Sequence, residues 1–122
     1  MREILFRGKR RDTGEWVYGS LQVFKGYSIF DSDYYKNFFT VIGNTIGQFT
    51  GLLDKSGRKV FEGDIVNARN SLHEDRIIYK VVYDENGFYY RDEDRVCWHP
   101  YNLEDVRVIG NIYDNPELLE EK

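Results

Sequence analysis

The residues best suited to chemistry are a cysteine and a histidine two positions apart, Cys97 and His99, with a second histidine at His73. Thiolate and imidazole groups are zinc ligands, but a structural zinc site needs four ligands at a recognisable spacing. A cysteine nucleophile would also need a third group to orient its histidine base. In a strand, residues 97 and 99 share one face, as packing residues do. We therefore expect both to pack, and keep a small enzyme or metal protein as a third alternative.

Acidic residues form two further groups: Glu62 and Asp64 flank a glycine, and three acids follow one another at residues 92–94. Paired carboxylates can act as acid and base or hold a divalent cation. Acids beside a glycine bend more commonly serve the turn itself. The sequence also lacks a Walker loop, a dinucleotide fingerprint and an HExxH motif. It predicts no catalytic residue, no metal and no cofactor, and hence a protein that is not an enzyme.

A basic run, Lys9-Arg10-Arg11, stands near the N-terminus. One interpretation is that these cations contact a phosphate or a nucleic acid. The other is that they form a solvated loop that keeps the edge of a sheet soluble. The chain carries 17 basic and 21 acidic residues, a net charge of −4, which disfavours a general nucleic-acid binder. The composition favours the solvated loop, and nucleic-acid contact stays as an alternative.

An aromatic segment covers residues 23–39 and is the least regular part of the chain. Its residues Tyr34, Tyr35, Phe38 and Phe39 have the spacing of a short helix with one aromatic face. Large aromatic side chains usually form the core of a small β domain. Where they are exposed, an interface between copies of the chain is the best explanation. These four residues are the candidate oligomer contacts.

Length and composition indicate one β-rich domain over residues 1–122. Aromatic residues make up 16% of the chain, with 11 glycines and 2 prolines, a composition typical of strands joined by tight turns. The single cysteine excludes an internal disulfide and fits a reducing cytosol. No apolar run approaches the ~20 residues of a membrane helix. We expect a soluble cytoplasmic protein without a membrane partner.

Turn signals divide the chain into hairpins. Residues 2–21 read as an N-terminal hairpin, and Asn86-Gly87 marks a second hairpin with a type I′ turn. Between residues 48 and 68, turns at Asp54 to Gly57 and at Gly63 separate short apolar strands, as at the corners of a small antiparallel barrel. Asn115 before Pro116 predicts the start of a short C-terminal helix.

The same central block resembles the YopX family of small phage and prophage proteins. The resemblance rests on Thr50-Gly51-Leu52, on Asp54 and Gly57, and on the run from Val60 to Val66. The first strand, residues 2–7, and the end of the chain, residues 108–119, are also similar. The resemblance implies an SH3-like antiparallel β-barrel, self-association and no established activity. Every matching position is a glycine, a turn residue or a strand apolar, so no site residue is implied.

The expected fold is therefore mainly β: an SH3-like barrel at about residues 48–113, an added N-terminal hairpin and a short C-terminal helix. The expected function is a protein-interaction or assembly module that forms homo-oligomers through residues 23–39. The alternative is an accessory protein of phage replication or expression that contacts nucleic acid through Lys9, Arg10 and Arg11. The sequence identifies no other partner.

Overall fold

The structure, a computed structural model, describes residues 4–31, 37–70 and 73–119. The described chain consists of two antiparallel β-sheets and short 3₁₀ turns. It divides into two compact units, residues 1–51 and residues 52–122. No helix among the described residues is long and apolar enough to cross a membrane.

The first unit is built on an antiparallel sheet. Its strands are β1 (Phe6–Lys9), β2 (Trp16–Val23), β3 (Tyr27–Asp31), β4 (Phe38–Thr40) and the start of β5 (Gly47–Leu53), in the spatial order β4-β3-β2-β1-β5. A 3₁₀ turn at Gly43–Thr45 leads into β5. Strands β1 and β2 pair directly, which confirms the predicted N-terminal hairpin.

The core of the first unit is small. Ile29, Val41 and Phe49 are buried there, and Val41 forms an isolated bridge with Arg10 just beyond β1. A side chain at Gly8 would place its Cβ 3.1 Å from the Cβ of Val41. A larger residue at position 8 would push against Val41, so glycine suits the close packing of the chain after β4 on β1.

The second unit contains a five-stranded sheet. Its strands are β7 (Asp64–Asn70), β8 (His73–Asp84), β9 (Gly87–Arg91), β10 (Cys97–Trp98) and β11 (Leu103–Asn111), in the order β10-β9-β8-β7-β11. The short strand β6 (Lys59–Phe61) forms a hairpin with the end of β5. Two 3₁₀ turns lie at Pro100–Asn102 and Pro116–Leu119.

The core of the second unit lies on one face of this sheet. Tyr79 and Val81 on β8 are fully buried there, and Ile77 packs against the same cluster, because alternate residues of a strand share one face. The β8–β9 hairpin is also confirmed. Its turn differs from the prediction, since among the described residues here only Gly87 has a positive φ, at 114°. A type I′ turn would need two such residues.

The strand pairing does not close a barrel, and in this respect the prediction is wrong. Strands β10 and β11 are the two edge strands of the second sheet and do not pair with each other. Strand β11 pairs with β7, and β7 pairs with β8 on its other side. The SH3-like topology stays a prediction. The two predicted glycine turns are present, with φ values of 90° at Gly57 and 92° at Gly63.

The predicted C-terminal helix is a 3₁₀ turn over Pro116–Leu119. The side chain of Asn115 faces back along the chain, where its Oδ1 accepts a hydrogen bond from the Asn111 amide at 3.2 Å. The Asn115 side chain therefore accepts from an amide that precedes it in the chain. The side chain of a helix N-cap accepts from an amide two or three residues after it. A segment of this length is also too short for a stable α-helix.

Candidate functional site

The first candidate surface is the outer face of the sheet in the first unit. The register places Trp16 and Tyr18 of β2 on this face, together with Phe30 and Phe38. The rings of Phe30 and Phe38 stack with centroids 5.3 Å apart, and Phe38 is 58% exposed at the last strand of the sheet. We call these four residues the aromatic face.

The other three predicted oligomer contacts are not part of the aromatic face as the structure describes it. Phe39 points to the opposite side of β4 and is half-buried. Tyr34 and Tyr35 lie outside the described residues. The spacing that predicted a helix is interrupted by β4, in which Phe38 and Phe39 alternate between the two faces of the sheet.

A second exposed apolar group lies at the turn between β2 and β3. Val23 and Phe24 are 64% and 75% exposed, and Lys25 adopts a positive φ of 50°. Tyr27 is partly exposed, but its ring packs on Gly43, where an added Cβ would lie 2.8 Å from the ring. The turn therefore presents apolar side chains that the first unit itself leaves in solvent.

The basic run lies where β1 ends, and two of its three cations have contacts within the unit. The Nζ of Lys9 is 5.4 Å from the Trp16 ring centroid, and the Arg10 guanidinium lies 4.5 Å from that of Phe39. Arg10 also donates two hydrogen bonds to the carboxylate of Asp12, at 2.9 and 2.7 Å. These bonds raise the pKa of Arg10 and lower that of Asp12. Arg11 is exposed.

The cysteine and histidines do not come together as a site. Cys97 and His99 are both exposed, so the expectation that they pack in the interior is wrong. The ring of His99 stacks on Tyr101, with centroids 4.8 Å apart, and its Nδ1 accepts the Tyr101 amide. The side chain of His73 is outside the described part. Among the described residues, no group of three potential ligands could hold a metal ion.

Asp64 and Asp92, one from each acidic group, serve turns as predicted. Asp64 is buried, and its Oδ2 accepts a hydrogen bond from the amide of Phe61 at 2.7 Å. Asp92 accepts from the amide of Val96 and from the indole nitrogen of Trp98, both at 2.9 Å. Such contacts position loops.

The second candidate surface was not predicted from the sequence. It is a groove of about 640 Å³ in the second unit, over the face of β8 and β9 opposite the core. Cationic and apolar side chains line it, among them Ile78, Lys80, Arg91, Arg95, Leu118 and Leu119. In the sequence, Lys80 marks only the polar side of an amphipathic strand. The 3₁₀ turn of residues 116–119, which is far from that strand in sequence, contributes Leu118 and Leu119 to the lining.

Arg76 also lines the groove. Its guanidinium donates to Asp105 Oδ2 at 2.7 Å and to the Asp105 carbonyl at 2.6 Å. It also donates to the side chain and the carbonyl of Asn67. Asp105 has a positive φ of 51° at an irregularity in β11, and the bond from Arg76 lowers the pKa of its carboxyl. Arg76 therefore supports the strands and is already paired.

Comparison with known proteins adds the fold and the family. The chain is similar to a solved structure described as protein EF1440 from Enterococcus faecalis, with a TM-score of 0.59 and 24% identity. The similarity covers 98% of this chain and all of the other; at this identity it supports the fold alone. No curated protein matches the chain.

A family model described as YopX protein matches residues 5–120, nearly the whole chain. The residues that carried the resemblance have structural roles here. Gly57 and Gly63 supply positive φ values in turns, and Asp54 binds four hydrogen-bond donors. The chain belongs to the YopX family.

Proposed function

We propose that this protein is a non-enzymatic interaction or assembly module that self-associates through the aromatic face of its first unit. The observation that carries the proposal is Phe38, an aromatic side chain 58% exposed on the last strand of a sheet and stacked on Phe30. Aromatic side chains on such a strand are suited to contact with a second chain. Its setting is the cytoplasm of a host cell that carries a phage or prophage.

A second copy of the chain is the favoured partner for a chemical reason. The aromatic face mixes flat rings with cations, since Lys9 lies over Trp16 on the same side of the sheet. Aromatic and cationic groups can pair with each other across a two-fold axis, where the same patch meets itself. The exposed Phe24 turn extends the available apolar area.

The nucleic-acid alternative rests on the same mixture of rings and cations, which also suits stacked bases and phosphates. It draws less support from the basic run. Arg10 is paired with Asp12 and packed on Phe39, so only part of the local charge faces outward. The net charge of −4 also opposes a polyanion.

The test is the molar mass in solution as a function of concentration, measured by light scattering on a sizing column. We expect masses above the 14.5 kDa of one chain that fall on dilution. Phe38→Ser should weaken association about tenfold or more, because truncating a central aromatic contact commonly costs over 1 kcal/mol. Tyr101→Ser, at an 82% exposed aromatic of the second unit, is the matched control and should leave association unchanged.

A monomer of 14.5 kDa at all concentrations would overturn the proposal, as would equal effects of the two substitutions. Unchanged circular dichroism must accompany the Phe38→Ser result, so that weaker association is not mistaken for unfolding. DNA or RNA binding that persists at physiological salt and is lost in an Arg10→Glu, Arg11→Glu variant would favour the alternative.

A further inference from the structure

We infer that the groove of the second unit binds a small organic anion whose carboxylate or phosphate is attached to an apolar body. The inference starts from two cations placed opposite each other on adjacent strands. Lys80 of β8 and Arg91 of β9 are direct partners in the antiparallel register, and both line the groove. Like charges in this arrangement destabilise a sheet.

The acids that the structure describes around the groove do not compensate this pair. Among the described residues, no hydrogen bond or ion pair joins Lys80, Arg91 or Arg95 to an acid. The carboxylate of Asp92, also on the groove, accepts from neutral donors, the Trp98 indole and backbone amides. Glu93 is exposed at the rim. An oxyanion between Lys80 and Arg91 would relieve their repulsion and receive charge-assisted hydrogen bonds from both.

The apolar wall of the groove is formed by Ile78, Leu118 and Leu119. Ile78 follows the same face of β8, two residues before Lys80, and Leu118 and Leu119 come from the C-terminal 3₁₀ turn. Ile78 and Leu118 are half-buried, and Leu119 is 40% exposed. A volume of about 640 Å³ is in the range of small-molecule sites. Apolar and cationic surfaces side by side select an amphipathic anion.

The same lining argues against a polyanion. Asp92 and Glu93 line the groove together with the cations. Their negative charges would repel the flanking phosphates of a nucleic-acid strand. A single oxyanion bound between Lys80 and Arg91 needs no such flanking contact. The groove is thus suited to one anionic group and a short apolar chain.

The only cysteine of the chain can report the positive electrostatic potential that Lys80 and Arg91 create beside the groove. Cys97 is exposed and is the register partner of Arg91, so Lys80, Arg91 and Cys97 form one row across β8, β9 and β10. We expect the thiol to react faster with a dianionic aromatic disulfide than with a neutral one, relative to free cysteine. The ratio of the rate with the dianionic disulfide to the rate with the neutral one should fall roughly fivefold in a Lys80→Gln, Arg91→Gln double variant. Lys55→Gln, at an exposed lysine distant in sequence, is the control.

Binding is tested with hexyl phosphate, hexanoate, inorganic phosphate and hexylammonium, by heteronuclear NMR titration of the full chain. Hexyl phosphate or hexanoate should shift the amides of residues 76–80, 91–95 and 118–119, and should protect Cys97 from the dianionic disulfide. The tighter of the two identifies the anionic group. The double variant should bind about tenfold or more weakly, and Lys55→Gln should bind as the parent chain does.

Several outcomes would overturn the inference. These are binding of hexylammonium as tight as that of the anions, unshifted amides with both hexyl anions, and equally tight binding of the anions by the double variant. Inorganic phosphate binding as tightly as hexyl phosphate would contradict the role of the apolar wall. A single-stranded oligonucleotide that shifts the same amides more strongly than either hexyl anion would assign the groove to nucleic acid instead. If the double variant unfolds, Lys80→Gln alone and the protection of Cys97 in the parent chain provide the comparison.

Discussion

The carboxylate of Asp54 accepts a hydrogen bond from the backbone amide of Val108, 3.0 Å away and 54 positions along the chain. Its other oxygen, Oδ1, accepts from the amides of Ser56 and Arg58 and from the Ser56 hydroxyl. One side chain therefore forms the β5–β6 turn and ties it to β11. The Lys55 amide, which donates to the carbonyl of Val106 at 2.8 Å, adds a second link between the same segments.

Asp54→Ala should destabilise the protein by about 3 kcal/mol, because it removes a charged acceptor from several donors at once. All four of these hydrogen bonds are partly buried, so their donors would lose an acceptor where water has limited access. Equilibrium urea unfolding, followed by circular dichroism, measures the free energy of unfolding. Asp94→Ala, at an exposed acid, should change it by less than about 0.5 kcal/mol. Similar values for the two variants would show that Asp54 is not a structural link.

The charge of Asp54 should also make stability depend on pH. Burial raises the pKa of Asp54, but its hydrogen bonds to Val108, Arg58 and Ser56 outweigh burial and bring the pKa below the usual value of 3.8. A folded pKa below the unfolded one stabilises the protein above roughly pH 4. This contribution is lost as the pH falls through the folded pKa. Asp54→Asn should therefore show a shallower decline in unfolding free energy from pH 5 downward, and an equal slope would contradict this origin.

Local patterns predicted the elements of the fold better than their assembly. The turns at Gly57 and Gly63 and the β8–β9 hairpin depend on residues close in sequence, and the structure contains them. The barrel was wrongly predicted because closure depends on which strands pair at long range. The hydrogen bond from the Val108 amide to Asp54 illustrates this. The sequence indicates a turn at Asp54, but it does not show that the second carboxylate oxygen accepts from β11.

The candidate surfaces were predictable to different degrees. Phe38 was named from the aromatic spacing, although the face it occupies follows from its pairing with Phe30 in a strand. The groove could not be predicted, because Lys80 and Arg91 become neighbours only through the β8–β9 register. Their distance in sequence and the intervening turn leave no periodic signal of a shared site.

Gly110→Ala should destabilise the C-terminal turn. A Cβ at residue 110 would lie 2.5 Å from Oδ1 of Asn115 and 3.0 Å from its Cβ. The Asn115 side chain would have to leave, and the Asn111 amide would lose its acceptor. We expect a loss of about 1–2 kcal/mol in unfolding free energy. Urea unfolding provides the value, and exchange of the amides of residues 111–119 shows where it arises.

The matched comparison is Asn115→Ala with and without Gly110→Ala. If the clash with Asn115 causes the loss, Gly110→Ala should cost much less once Asn115 is already alanine, and the two effects should not add. Strict additivity would place the cause elsewhere. Gly57→Ala gives a different baseline, since open space surrounds that position and only its positive φ of 90° is unfavourable, at about 1 kcal/mol.

The fully buried Tyr90 should make the protein sensitive to alkali. Burial in the core, followed by the negative charges of Asp64 and Asp54, raises its pKa to about 12 from the ordinary 10.0. A raised pKa stabilises the fold below pH 10 and loses that contribution as the pH rises from 10 to 12. The free energy of unfolding should therefore fall more steeply over this range in the parent chain than in Tyr90→Phe, which retains the ring. Ultraviolet difference absorbance provides the second measurement: the absorbance change near pH 12 or on unfolding should be smaller in the variant by the contribution of one phenol. Burial also raises the pKa of Tyr79, so that phenol should keep part of the late change in both proteins. Ionisation of every phenol near pH 10 in the folded protein would contradict the burial of Tyr90.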